Sequence, residues 1–197
     1  MIVCRSAAEL ERLRDAGRLV GEVLAELAAA VAPGVSTADL DALAEKRIAK
    51  AGATPAFKGY HGYPATICAS INDEVIHGIP SGRRVLQEGD IISIDVGASL
   101  DGYFGDSAIT LPVGQVSERA AALLRVTEEA LYKAIPTVLS RAVEAILANP
   151  NYDESKQDRS FMKVHMKGGK TCPRCGHRIS QLGSNREPLN FCRGCQL

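Results

Sequence analysis

No apolar run in this chain approaches the roughly 20 residues of a membrane span, which excludes a transmembrane helix. Tryptophan is absent, and so are internal repeats and low-complexity tracts, which excludes a repeat architecture. The opening Met1-Ile2-Val3-Cys4-Arg5 turns at once into a charged helical pattern and does not read as a secretory leader. A cytoplasmic protein with no membrane partner is therefore expected. Net charge is also missing, with 23 Lys/Arg against 23 Asp/Glu. The balance is uneven along the chain. From residue 136 onward ten Lys/Arg stand against five Asp/Glu, and the preceding residues carry the compensating acidic excess. An acidic front and a basic tail suggest two modules of different origin. The tail could attract nucleic acid, and a merely solvated surface is the plainer reading of charge alone.

The 197 residues suffice for one ordinary domain, or for one plus a small module, and 46% apolar with 23% charged is a soluble globular composition. Four of the six cysteines fall in the last 26 residues, while Cys4 and Cys68 are isolated. Without a secretory signal, such clustering points to metal rather than to disulfides.

Ser6 with Glu9 three residues on has the capping-box pattern, and Leu10, Leu13, Ala16, Leu19, Val20, Val23, Leu24 and Leu27 follow at helical spacing to Pro33-Gly34. A second helix starts at Ser36 or Thr37 and ends at Gly52. Strand and loop patterns come next, including Ile67-Cys68-Ala69-Ser70-Ile71. The strand Ile91-Ile92-Ser93-Ile94-Asp95-Val96 and a return strand through Tyr103 to Leu111 flank Asp101-Gly102, a strong two-residue hairpin signal. Two further helices are predicted, over about 117–134 and 137–148, and then a polar linker over 149–160.

The hairpin places two carboxylates together. With Asp101-Gly102 as the turn, Leu100 faces Tyr103, Gly97 faces Asp106 and Asp95 faces Ala108. Asp95 and Asp106 then share a sheet face as diagonal neighbours about 7–8 Å apart or less. Such a pair could hold two metals about 3.5–4 Å apart, and two solvated carboxylates are the alternative. Asp95 ends a run of isoleucines of the kind found in buried sheets, and a buried carboxylate needs a partner. His77, before the Gly78-Ile79-Pro80 turn, reads by itself as structural or exposed.

Taken together, Gly59-Tyr60-His61-Gly62-Tyr63-Pro64, Ser70-Ile71-Asn72-Asp73-Glu74-Val75-Ile76-His77-Gly78-Ile79-Pro80, Ile94-Asp95-Val96-Gly97 and Asp101-Gly102-Tyr103-Phe104-Gly105-Asp106 resemble a type I methionine aminopeptidase over about residues 9–132. The resemblance implies an α+β chain whose front is the N-terminal half of a pita-bread fold. It implies divalent metal (Co, Mn, Fe or Zn) and removal of the initiator Met from nascent polypeptide N-termini. Asp95 and Asp106 match the family's first two metal ligands. His77 matches its catalytic, substrate-side histidine, and Tyr60, His61, Tyr63 and Cys68 match the substrate-binding region around the methionine pocket. The family's remaining ligands, a His in a Gly-His-Gly motif and two Glu, have no counterpart after Asp106, where the only histidines are His165 and His177. Two carboxylates alone do not build a di-metal hydrolase site. Weak or absent peptidase activity is therefore expected, with exposed apolar surface and a risk of self-association.

Cys172-Pro173-Arg174-Cys175 and Cys192-Arg193-Gly194-Cys195 form C-x2-C-x16-C-x2-C, the spacing of a closed, structural Cys4 zinc site. With Asp158-Arg159-Ser160-Phe161, Gly168-Gly169-Lys170 and Asn190-Phe191, this tail resembles the C-terminal zinc finger of formamidopyrimidine-DNA glycosylases and endonuclease VIII. The resemblance implies a zinc-ribbon-like finger whose partner is DNA, met by Lys170, Arg174 and Arg186. Glu187 occupies the position five before Cys192 where that family carries its phosphate-gripping Arg, and the N-terminal Pro-Glu pair of the glycosylases is absent, so base excision is not expected. The domains expected are an incomplete aminopeptidase-like unit over 1–134, a helix and linker over 135–160, and the finger over 161–197. Three readings follow: an impaired metalloaminopeptidase, a zinc-finger DNA-binding module, and a hybrid product without selected function.

Overall fold

The computed structural model describes residues 5–148, 168–182, 189–192 and 194–195. The predicted linker over 149–160, Cys4 and Arg186 lie outside the described residues. Two compact units divide the chain, one within Cys4–Leu131 and one within Tyr132–Leu197.

In the first unit, α1 (Ala7–Ala30) begins at a capping box. The Ser6 side chain accepts from the Glu9 amide, and the Glu9 carboxylate accepts from the Ser6 amide at 2.8 Å. The same device opens α2 (Thr37–Lys50), with Ser36 and Asp39 as the pair. Both helices are amphipathic, and their buried stripes include Ala16, Leu19, Val20, Val23 and Leu27 on α1 and Leu40, Ala44 and Ile48 on α2. These stripes lie against one face of a four-stranded antiparallel sheet. The sheet is built from β1 (Thr54–Pro55), β2 (Ile67–Ile71), β3 (Ile91–Leu100) and β4 (Tyr103–Pro112). β3 is central. It pairs with β1 and β2 along one edge and with β4 along the other. Alternate β3 residues Ile92, Ile94, Val96 and Ala98 are fully buried and form the core with the helix stripes. Gly105 of β4 sits where a Cβ would press into the Ala16 main-chain carbonyl, so the glycine sets how closely α1 approaches the sheet.

One element departs from the sequence reading. The two helices predicted over 117–134 and 137–148 are a single helix, α3 (Glu118–Leu147), with Pro136 inside it. A proline removes one main-chain hydrogen bond and costs about 3 kcal/mol. It breaks a helix when the neighbours are indifferent, but here Ala, Leu, Glu, Arg and Lys on both sides favour the helix. The Thr137 hydroxyl donates to the Lys133 carbonyl at 2.8 Å one turn back. α3 exposes Leu123, Val126, Leu131, Ile135, Val138 and Leu139. No helix among the described residues is long and apolar enough to cross a membrane.

The second unit contains a hairpin of β5 (Ser180–Leu182) and β6 (Leu189–Phe191), in the register Ser180 with Phe191. Its core is Cys172, Ile179 and Cys192.

Candidate active site and metal centre

The β3–β4 register is the predicted one: Leu100 with Tyr103, Gly97 with Asp106, Asp95 with Ala108. Asp101 and Gly102 both take positive φ, 50° and 80°, as the two-residue turn requires. Asp95 and Asp106 consequently project from the sheet face opposite the helices. Asp95 Oδ1 is buried and has no hydrogen-bond partner among the described residues. Burial raises the Asp95 carboxyl above its ordinary value, the neighbouring Asp106 charge adds to the rise, and His77 opposes it.

β2 carries the opposite wall. Asp41 of α2 accepts from the amides of Thr66 and Ile67 at 2.8 and 2.9 Å, which anchors the start of the strand. Gly78 fastens the far loop to it. Its carbonyl accepts from the Ala69 amide at 2.8 Å, its amide donates to Ser70 Oγ at 3.1 Å, and a Cβ there would strike the Ala69 carbonyl. His77 is thereby held beside the strand at φ 60°, a conformation costly for a residue other than glycine. His61 is in the same left-handed region at φ 47° and meets Tyr60 edge-on, ring centroids 4.3 Å apart. The Tyr63 hydroxyl donates toward the Ile67 and Gly78 carbonyls at 3.0 and 3.3 Å, and burial raises its pKa. Cys68 is buried, and burial pushes its thiol up as well.

These side chains converge. A cavity of about 620 Å³ is lined by Tyr60, His61, Tyr63, Cys68, His77, Asp95 and Asp106, the full set singled out in this half of the sequence. Phe57, Gly62, Pro64 and Ile79 complete the wall and were not singled out as site residues. Phe57 had a signal in its partner: Gly97 interrupts a strand, and a Cβ on it would lie 2.6 Å from the Phe57 ring. Asp41 had none, since a carboxylate on an amphipathic helix reads as solvated.

An apolar chamber with two carboxylates and an imidazole at one end suits a side chain held in the chamber and a divalent cation at the carboxylates. The buried, unpartnered oxygen of Asp95 is what a cation would satisfy. Among the described residues, the only set of three or more His, Cys, Asp or Glu side chains converging as metal ligands is the four cysteines.

With this geometry in view, the profile of metallopeptidase family M24 matches residues 11–186. The chain belongs to family M24. Its N-terminal domain is a methionine aminopeptidase domain. This M24 chain is 57% identical over 135 residues to the methionine aminopeptidase of Clostridium acetobutylicum, covering 68% of the chain and 54% of the relative. It is 48% identical over 188 residues to that of Helicobacter pylori, covering 91% and 68%. The solved methionine aminopeptidase of Thermotoga maritima matches with a TM-score of 0.67 and 43% identity, over 68% of this chain and 54% of that one. The M24 chain thus spans little more than half the length of several of the relatives it matches. The family match also runs on past residue 132, further than the sequence resemblance was followed.

In the second unit the four thiol sulfurs lie within 4.8 Å of one another. Cys172 and Cys195 are 3.9 Å apart and Cys175 and Cys192 3.3 Å, close to the roughly 3.8 Å that tetrahedral coordination at about 2.3 Å gives. None is in a disulfide. The Gly176 amide donates to the Cys172 carbonyl and the Cys172 amide to the His177 carbonyl, which turns the first knuckle inward. The His177 amide lowers Cys175 to about 6, and the proton that Cys195 shares with Cys175 pushes Cys195 up to about 12. The set can bind a structural metal. Lys170 and Arg174 are exposed on this unit.

Proposed function

We propose that this chain is a methionine aminopeptidase of the metal-dependent type, acting in the cytoplasm on the N-terminal Met of nascent polypeptides, with turnover depressed by an incomplete ligand set. One observation carries the reading: a single cavity gathers a carboxylate pair, an imidazole and an apolar chamber, each from the residues the family motif supplies. In this reading Tyr60, His61, Tyr63 and Cys68 hold the methionine side chain, and burial of the thioether against Tyr63 and Phe57 excludes water. His77 donates a hydrogen bond to the scissile peptide. Asp95 and Asp106 would hold a divalent cation such as Co, Mn, Fe or Zn, which when bound supplies Lewis acidity and an activated water. Two carboxylates are fewer ligands than catalytic metals ordinarily receive, so the chain alone should be slow. Cys172, Cys175, Cys192 and Cys195 would hold one structural zinc, and the division at 1–134, 135–160 and 161–197 belongs to the same proposal.

The test is release of Met from a Met-Ala-Ser peptide by pure protein supplied with each divalent metal. Slow, metal-dependent release is expected, and Asp95→Asn or Asp106→Asn should lower it by more than the roughly 10–100-fold that loss of a supporting residue costs. Release untouched by both substitutions and by a chelator would sink the assignment. Rapid, metal-dependent release would sink only the impairment.

A second reading rests on the finger. Exposed Lys170 and Arg174 beside a closed Cys4 set support weak, salt-sensitive DNA binding. A duplex mobility shift that fades with rising salt tests it, and neither shift nor Met release would leave the hybrid without selected function.

A further inference from the structure

His77 keeps a left-handed φ of 60° without the freedom of a glycine. A residue persists in such a conformation only where its surroundings over-determine it. The bonds of Gly78 to Ala69 and Ser70 fix the residue that follows. On the preceding side Val75 and Ile76 are 87% and 67% exposed, so the loop gains little from apolar packing there. A further constraint comes from Arg84. Its Nη1 donates to the Ile79 carbonyl at 2.9 Å, just after His77, and its Nη2 donates to Glu74 Oε2, just before it. The same Glu74 oxygen accepts from the Ile71 amide at 2.8 Å, at the end of β2. One guanidinium fork therefore closes both ends of the segment that carries the imidazole.

Arg84 is placed to hold this loop rather than to follow it, because its own main chain is built onto the start of α2. The Thr37 amide donates to the Arg84 carbonyl at 2.9 Å. The buried Thr37 hydroxyl donates to the Ser81 carbonyl at 3.1 Å and accepts from the Ser81 amide at 2.9 Å. Leu86, two residues on, is part of the core, and its amide donates to the Val35 carbonyl at 2.9 Å. Neither Arg84 nor Glu74 lines the cavity, so any effect they have on it passes through the loop. Their side chains are 24% and 43% exposed, and a pair screened to that extent adds little to stability. Its effect is geometric. We propose that Arg84 is a positioning residue for His77, whose fork holds the Glu74–Ile79 loop so that the imidazole stays in the cavity beside Asp95 and Asp106. The proposal rests on the aminopeptidase reading for its kinetic half only, since the placement of His77 is measurable without turnover.

The test reads His77 by NMR in the full chain, with its imidazole signals assigned by their loss in His77→Gln. Arg84→Gln removes the charge and cannot span both acceptors. It should move the His77 imidazole signals, together with the His77 Cα and carbonyl signals that report φ, while the thermal transition of the first unit stays nearly in place. Arg84→Lys keeps the charge and reaches one acceptor at a time, so it should fall between. Glu74→Ala leaves the Ile79 bond and should move the signals less than Arg84→Gln. Arg83→Gln removes the neighbouring, exposed charge and should move nothing. On a Met-Ala-Ser peptide, Arg84→Gln should lower kcat roughly 10–100-fold with KM nearly unchanged, because the apolar chamber keeps its walls. His77 signals that stay put in Arg84→Gln, or that move as far in Arg83→Gln, would overturn the positioning role. Were Arg84→Gln to lose the thermal transition, Arg84→Lys and Glu74→Ala carry the same comparison. Moved signals in a chain that releases no Met leave the positioning role standing and remove the aminopeptidase reading. Met release that continues unchanged in Arg84→Gln, with the signals unmoved, does the reverse.

Discussion

The two units of this chain are held together by different physics. Among the described residues, seventeen buried apolar side chains form the core of the first unit, fourteen from two helices and the sheet they cover and three, Ala53, Leu86 and Val113, from connecting segments. Around the cysteines the buried core is Cys172, Ile179 and Cys192, and two of these three are ligand candidates. Burial at about 25 cal/mol per Å² accumulates over many side chains and tolerates the loss of any one. A metal-centred finger concentrates its folding energy in a single ion. The first unit should therefore yield gradually to substitution and the second all at once.

The largest effect expected is at the finger. Cys192→Ser should reduce zinc, measured by elemental mass spectrometry, from one per chain to none. Structural zinc contributes roughly 10–16 kcal/mol of apparent binding energy in comparable peptides, so amide protection around Ile179 should vanish with it, while the thermal transition of the first unit stays in place. A finger that keeps its protection without metal would erase the distinction.

In the first unit, Leu27→Ala removes a fully buried side chain from the α1 stripe. It should cost about 2–5 kcal/mol in denaturant unfolding and leave zinc content unchanged. Gly105→Ala probes the same core from the opposite direction. Its added methyl must displace α1 from the sheet, at a cost of about 1–3 kcal/mol. Near-zero cost would mean that α1 is not seated on β4 as described.

The smallest effect is at a helix cap. Ser36→Ala should cost about 1 kcal/mol near neutral pH. Its pH dependence has a definite sign. The Ser36 hydroxyl and amide lower the Asp39 carboxyl below its ordinary 3.8, so the native state holds this proton more weakly than the unfolded chain. The contribution is complete above 3.8 and fades as pH falls through the lowered native value. The gap between wild type and variant should narrow in acid, and a gap that widens there would contradict the cap.

Much of the first unit was legible in local patterns. The capping box at Ser6, the helical spacing from Ala16 to Leu27 and the Asp101-Gly102 turn each set a dihedral or a period within a few residues. The hairpin register follows from the turn by counting, so the shared face of Asp95 and Asp106 needed no knowledge of the rest of the chain. The C-x2-C pairs gave the thiol set in the same way.

The rest depended on segments distant in sequence. Pro136 reads as a break because local preference disfavours it, yet the strong helix formers on both sides carry α3 through. Asp41 reaches 25 residues along the chain to the Thr66 amide, and Phe57 folds over Gly97. The burial of Asp95 Oδ1 depends on which elements close around it. The composition and order of residues determined the helices, the hairpin and the donor atoms, because these are settled by interactions of short range. Only the packed structure decided which wall each side chain joins and, among the described residues, which carboxylate oxygen is left without a partner, because these depend on surfaces that exist only once remote segments have met.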